Sequence, residues 1–133
     1  MRRVILDTDV ASLSIKHRLP ASLLRELVAA QVGITFVTLG ELTRWATLRQ
    51  WGTRRRMELA GWLGSRPTLP YSDDVARTWG EISARAVRRG RPRPQNDTWI
   101  ASCCLVYELP LATFNRKDFE DFAEHEGLIL IGT

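Results

Sequence analysis

The run Arg3-Val4-Ile5-Leu6-Asp7-Thr8-Asp9 constrains the fold more than any other stretch of the chain. Three aliphatic residues in succession, without the alternation of a half-exposed strand, describe an inner strand of a parallel sheet covered on both faces. Two carboxylates follow before a helix has started. In open α/β sheets, ligands bind outside the carboxyl ends of the strands. Asp7 therefore falls at the edge where such a fold does its chemistry, and the useful question is which other acids reach that edge.

The rest of the chain alternates helix and strand patterns. Residues 10–17 read as a short helix closed before Pro20, and 21–31 as a second, with Leu23, Leu24, Leu27 and Val28 on one stripe and Gly33 as its stop. The β-rich run Ile34-Thr35-Phe36-Val37-Thr38 predicts a second strand. Residues 39–51 and 54–63 read as helices separated by Gly52, and 67–71 as a short extended connection. Ser72-Asp73-Asp74 caps a helix over 75–89, whose Val75, Trp79, Ile82 and Ala86 recur at helical spacing. The basic loop Gly90-Arg91-Pro92-Arg93-Pro94 cannot continue it, because two prolines break the hydrogen bonding. A helix over 96–107, a strand over 110–114, an acidic helix over 118–126 and a strand over 128–131 complete the chain.

This alternation predicts an α/β fold: a central, mostly parallel sheet of about four to five strands with helices on both faces. Right-handed crossovers then bring successive strand ends to one edge. With 133 residues and no linker, repeat or low-complexity segment, one domain over 1–133 is expected. Asp7 ends the first strand, Glu41 follows the second, Asp118 follows the strand over 110–114, and Asp97 can be delivered to the same edge by its helix. Such carboxylates would repel one another in water. A hard divalent cation removes the conflict, prefers carboxylate oxygen and keeps waters that leave room for phosphate oxygens. Each acid also has a plainer reading: Thr38-Leu39-Gly40-Glu41 matches a capping box, Asn96-Asp97 and Asn115-Arg116-Lys117-Asp118 match helix starts, and Asp9 can cap the first helix. Capping does not by itself explain why four acids should converge.

Charge adds a partner class. The net charge of +4 comes almost wholly from arginine, 17 residues against Lys16 and Lys117 alone. Arginine is the better phosphate fork, so a polyanion such as nucleic acid fits. Arg91 and Arg93 stand just upstream of Asp97 and are candidates to hold RNA phosphates beside it. Arg54, Arg55 and Arg56 begin a helix against its dipole, which suggests a ligand contact. The five tryptophans mostly follow apolar helical patterns and are expected to pack, and His17 and His125 to sit at the surface near helix ends. Cys103 and Cys104 are adjacent in an apolar run, so packing is expected of them, as in a reducing cytoplasm. No stretch approaches the roughly 18–20 apolar residues that span a membrane.

The ordered set Ile5-Leu6-Asp7-Thr8-Asp9, Val37-Thr38-Leu39-Gly40-Glu41-Leu42, Asn96-Asp97-Thr98-Trp99-Ile100-Ala101 and Leu111-Ala112-Thr113-Phe114-Asn115-Arg116-Lys117-Asp118-Phe119 resembles a PIN domain. More narrowly it resembles the VapC-type toxins of bacterial toxin–antitoxin pairs, over essentially the whole chain. The resemblance implies a three-layer PIN-like fold and an endoribonuclease dependent on Mg²⁺, or on Mn²⁺ in its place. It implies that Asp7, Glu41, Asp97 and Asp118 are the catalytic, metal-binding acids. Asp118 shares the fourth position with Asn115, which coordinates or orients a water without adding charge. Thr8 and Thr113 look like hydroxyls that orient these ligands. Water activated at the metal would cut a phosphodiester in line, leaving a 5′-phosphate and a 3′-hydroxyl. The family further implies a VapB-type antitoxin and a homodimer, with the helices over 39–63 as the apolar surface for either. Two other readings are a non-catalytic PIN-like module that binds RNA or a protein partner, and a phosphoacceptor receiver domain. The latter wants an Asp ending the third strand and a Lys after the last, and neither is present.

Overall fold

The computed structural model of the chain describes residues 2–132; Met1 and Thr133, the ends of the expected 1–133 domain, lie outside the described residues. Strand β1 (Arg2–Leu6) runs into helices α1 (Thr8–Ile15) and α2 (Ala21–Leu27), then β2 (Ala30–Thr35), α3 (Phe36–Leu48), α4 (Thr53–Gly64) and β3 (Thr68–Leu69). The second half continues through α5 (Asp73–Arg88), α6 (Gln95–Val106), β4 (Leu111–Ala112), α7 (Arg116–Glu126) and β5 (Leu130–Ile131). The five strands form one sheet in the order β3-β2-β1-β4-β5. Every pairing is parallel, with Ile5 opposite both Gly33 and Leu111.

Pleating divides the core. Val4 and Leu6 face a cluster built with Val10, Leu23, Leu42, Leu59 and Trp62 from α1–α4. Ile5 points the other way, into Ile82, Ile100, Cys104, Phe119 and Phe122 from α5–α7. Successive side chains of a strand point to opposite faces, so the unbroken aliphatic run at positions 4–6 feeds both layers at once. Cys103 and Cys104 are free and buried, and burial pushes the Cys103 thiol up to about 12. They pack, as expected. Among the described residues, no helix is long and apolar enough to cross a membrane.

The chain first builds outward from β1 through β2 to β3, then crosses back to place β4 on the other side of β1. Strand order reverses at β1, and such a reversal opens a crevice at the carboxyl ends of the strands. Two close approaches set this edge. A side chain at Gly33 would meet the Pro67 carbonyl oxygen at 2.9 Å, so glycine lets β3 lie against β2. Gly33 thus belongs to a strand and does not stop α2, which ends four residues before the predicted 31. Gly132, at φ +97°, brings the chain end onto the Thr113 carbonyl in a way that only glycine accommodates well.

Several boundaries differ from the sequence reading. The second strand ends at Thr35, three residues early, because the Thr35 hydroxyl caps α3 by accepting from the Thr38 amide at 3.3 Å. Phe36, Val37 and Thr38, which read as strand by propensity, form the first turn of α3. Packing overrides propensity there: Thr38 and Leu42 are fully buried. Helix α6 starts after Pro94, and no side chain caps it, so Asn96 is not the cap.

Candidate active site

The reversal point carries the acids. Asp7 stands between β1 and α1, its backbone N–H donating to the Ala112 carbonyl of β4 at 3.1 Å. One carboxylate oxygen accepts from the Val10 amide at 2.9 Å. Asp7, not Asp9, therefore caps α1. It is only 4% exposed, and its other contacts set its acidity. Burial pushes Asp7 up to about 6, against hydrogen bonds from Thr113 and Val10 that favour the charged form, while Asp9 and Asp97 push it further up.

Glu41 lies in the second turn of α3, so the capping-box reading with Thr38 fails: the helix begins earlier than that reading requires. The Thr8 hydroxyl donates to Glu41 Oε1 at 2.6 Å and lies 3.0 Å from the Thr38 hydroxyl. Two buried threonines on different helices thereby fix the Glu41 carboxylate. Asp97 sits in the first turn of α6. It too is pushed up to about 6, mainly by burial and then by the charges of Asp118 and Glu41, with Arg93 opposing.

Asp118 lies in the first turn of α7, behind Asn115. The side chain of Asn115 does not cap that helix as its position suggested; its Nδ2 donates across the fold to Asp9 Oδ2 at 2.8 Å. The Asn115 backbone N–H donates to the Thr113 hydroxyl at 3.0 Å, which ties the β4 end to the start of α7. Asp7, Thr8, Asp9, Glu41, Asp97, Asn115 and Asp118 line a single pocket of about 100 Å³, together with Trp45, Ile100 and Phe119. A larger hollow of about 280 Å³ near Cys104 and Ile129 carries only one carboxylate, Glu108. Chemistry, not volume, distinguishes the two.

The donor set suits a hard cation. Five carboxylates and one amide reach the pocket, and none of those carboxylates makes an ion pair with Arg, Lys or His among the described residues. As they stand, no three of the described His, Cys, Asp or Glu side chains are gathered closely enough to enclose an ion. Mg²⁺ does not need a protein cage: it keeps several waters and takes one or two carboxylates directly. The arrangement fits that mode: Asp7 is buried, Asp97, Glu41 and Asp118 are half-buried, and all four line the same pocket.

The arginine expectations divide. Arg93 is near enough to Asp97 to favour its charge, whereas Arg91 acts on Asp121, which does not line the pocket. Arg54, Arg55 and Arg56 are all exposed, and each also makes a contact within the fold. Arg54 pairs with Glu58 at 3.4 Å, Arg55 lies over Trp51, and Arg56 donates to the Trp51 and Ala46 carbonyls, near the end of α3. Guanidinium at a helix C-terminus is favourable, so Arg56 stabilises α3 even though it opens α4. His17 and His125 are exposed and remote from the pocket lining. Two pocket residues go beyond the sequence reading: Asp9, expected as a cap, lines the pocket instead, and Trp45, which packs against the core as expected, lines it as well. Trp45 stands four residues after Glu41 on one helix, a spacing that could have placed it on the same face.

Comparison with known proteins is consistent with this geometry. A family model described as PIN domain matches residues 4–125. Comparison with curated protein sequences finds no match. Among solved structures, the chain resembles VapBC2 from Rickettsia felis bound to a promoter DNA fragment, with TM-score 0.82, 23% identity and 97% of both chains covered. It also resembles VapBC-5 from Mycobacterium tuberculosis, with TM-score 0.71, 29% identity and full coverage of both chains. A third is DNA-bound VapBC from Salmonella typhimurium, with TM-score 0.77, 25% identity and 98% of both chains covered.

Proposed function

We propose, from the premise that this chain belongs to the PIN-domain family, that it is the VapC-type toxin of a toxin–antitoxin pair and a Mg²⁺-dependent endoribonuclease. The observation that carries the reading is the pocket itself. Carboxylates from four separated segments line one space at the carboxyl end of β1, and among the described residues no cationic side chain pairs with them. A fold keeps such unpaired, partly buried acids at a cost, and a divalent ion with an anionic substrate offsets it.

Asp7 and Asp97 would hold the ion, with Glu41 and Asp118 completing the site through water. Bound there, Mg²⁺ supplies a Lewis acid that makes water a stronger nucleophile at neutral pH and stabilises the departing oxygen. Thr8 and Thr113 keep the Glu41 and Asp7 carboxylates oriented. The oxygen of the Asn115 amide is turned away from Asp9 by its Nδ2 hydrogen bond, so it is free to accept from a water in the pocket. Arg93 offers positive charge beside Asp97 for an incoming phosphate.

The resemblance to toxin–antitoxin complexes supports a VapB-type antitoxin as partner. Leu48 and Met57, both more than 60% exposed on α3 and α4, leave apolar surface for such a partner or for a homodimer. The test is incubation of the purified protein with total RNA in Mg²⁺, in excess chelator, and as Asp97→Asn. Cutting in Mg²⁺ alone, with 5′-phosphate ends, is the expected result. Cutting that survives chelation, or ends that carry cyclic phosphate, would overturn it.

A further inference from the structure

Three arginines lie over three tryptophans on α3, α4 and the turn between them: Arg49 over Trp45 at 5.2 Å, Arg55 over Trp51 at 5.5 Å and Arg66 over Trp62 at 4.5 Å. Two of these rings are structural. Trp51 and Trp62 are each 8% exposed and belong to the core. Trp45 differs in two ways. It is only half-buried, and it lines the acidic pocket beside Glu41. Arg49, in contrast to its ring, is exposed.

Glu41, Trp45 and Arg49 follow one another at four-residue intervals on α3 and its C-cap. Each step advances about 6 Å along one helix face. The face therefore runs from an acid at the proposed reaction centre, to an aromatic ring, to a guanidinium. That order matches a nucleotide chain leaving the centre: a phosphate at the acids, then a base, then the next phosphate.

We propose that Trp45 is a stacking platform for the unpaired base next to the phosphate being cut, and that Arg49 moves from the ring to a backbone phosphate when RNA binds. The proposal rests on the enzyme reading above and specifies where its substrate lies. Arg49 occupies in the free protein the ring face that a base would use. An exposed cation–π contact is the weaker of the two interactions, and base–aromatic stacking replaces it with a contact open to any base. The displaced guanidinium then meets a phosphate in the forked geometry it prefers. A positive charge is also wanted here for a second reason: the carboxylates repel an incoming phosphate, and Arg49 lies about two turns beyond Glu41.

The test uses the full chain silenced by Asp97→Asn, and a short single-stranded RNA carrying the cut site mapped with the wild type. One abasic nucleotide is stepped across that site and binding is read by fluorescence anisotropy. With Trp45 present, one position adjoining the cut should weaken binding about tenfold when its base is missing. In Trp45→Ala, intact RNA should bind about tenfold more weakly and the abasic penalty at that position should vanish; Trp45→Phe should keep both affinity and penalty. Arg49→Ala should keep the penalty and lower the slope of log affinity against log salt by about one. Abasic penalties that Trp45→Ala leaves unchanged at every position would overturn the platform alone. No RNA binding by any version would overturn the enzyme reading with it.

Discussion

Helix α7 carries two carboxylates less than one turn apart whose surroundings are opposite. Asp118 lines the pocket with Asp7, Asp9, Glu41 and Asp97, and among the described residues no cationic side chain pairs with it. Asp121, 4% exposed, is gripped by Arg89 at the C-cap of α5, which holds it below the usual carboxylate range. Glu126 completes this second cluster through a two-pronged pair with Arg85 at 2.9 Å for both bonds. The comparison teaches how to tell two kinds of acidic cluster apart. Where the fold uses an acid to hold itself together, a neighbouring helix supplies the arginine. Where it does not, burial and the neighbouring carboxylates push the acids up, as at Asp7 and Asp97.

The comparison breaks most visibly in activity. Asp97→Asn should reduce RNA cleavage by more than about a hundredfold, beyond what loss of an orienting neighbour costs, and it should raise the thermal midpoint of the chelated protein. A silenced enzyme that is also less stable without metal would contradict the idea that these acids repel one another. Thr8→Val removes the donor to Glu41, and Mg²⁺ affinity measured by calorimetry should fall by about tenfold or more. Unchanged affinity would mean that Glu41 needs no orientation.

Asp121→Asn addresses the other cluster. It should lower the thermal midpoint by roughly 5–10 °C while the folded enzyme still cuts RNA at the wild-type rate. Loss of cleavage at full folding would show that the two clusters are coupled.

The smallest effect is in pH dependence, and it has opposite sign in the two regions. Asp7 and Asp97 titrate near 6 in the folded chain, against 3.8 for an ordinary aspartate. Between those values the native state binds more protons than the unfolded chain, so stability in chelator should fall as pH rises from about 4 to 6.5. Asp121 is shifted down, so its contribution is present above 3.8 and is lost as pH falls below that value. Urea midpoints should therefore respond to Asp97→Asn in the upper window and to Asp121→Asn in the lower one. A single window for both variants would remove the distinction.

Much of the fold is legible in the chain because apolar periodicity is local. The non-alternating run at residues 4–6, the helical spacing in α5 and the basic proline loop each announce their element from a few neighbours. That all the strands are parallel follows from their alternation with helices, and parallel strands put Asp7, Glu41 and Asp118 at one edge. The four-segment resemblance to a PIN domain was legible for the same reason, and the family model covering residues 4–125 agrees with it.

Tertiary structure alone decided how the acids are held. Residues 36–38 favour a strand by themselves, yet burial of Thr38 and Leu42 against the sheet makes them helix, and this moves Glu41 from a cap into the second turn. The bond from Asn115 to Asp9 joins residues 106 positions apart, and Arg89 reaches Asp121 across 32. Neither partner has a local pattern that names the other. Caps, ion pairs and pKa shifts depend on which atoms come within a few ångströms once the sheet closes, whereas strand and helix periods depend only on which face of a segment must leave water.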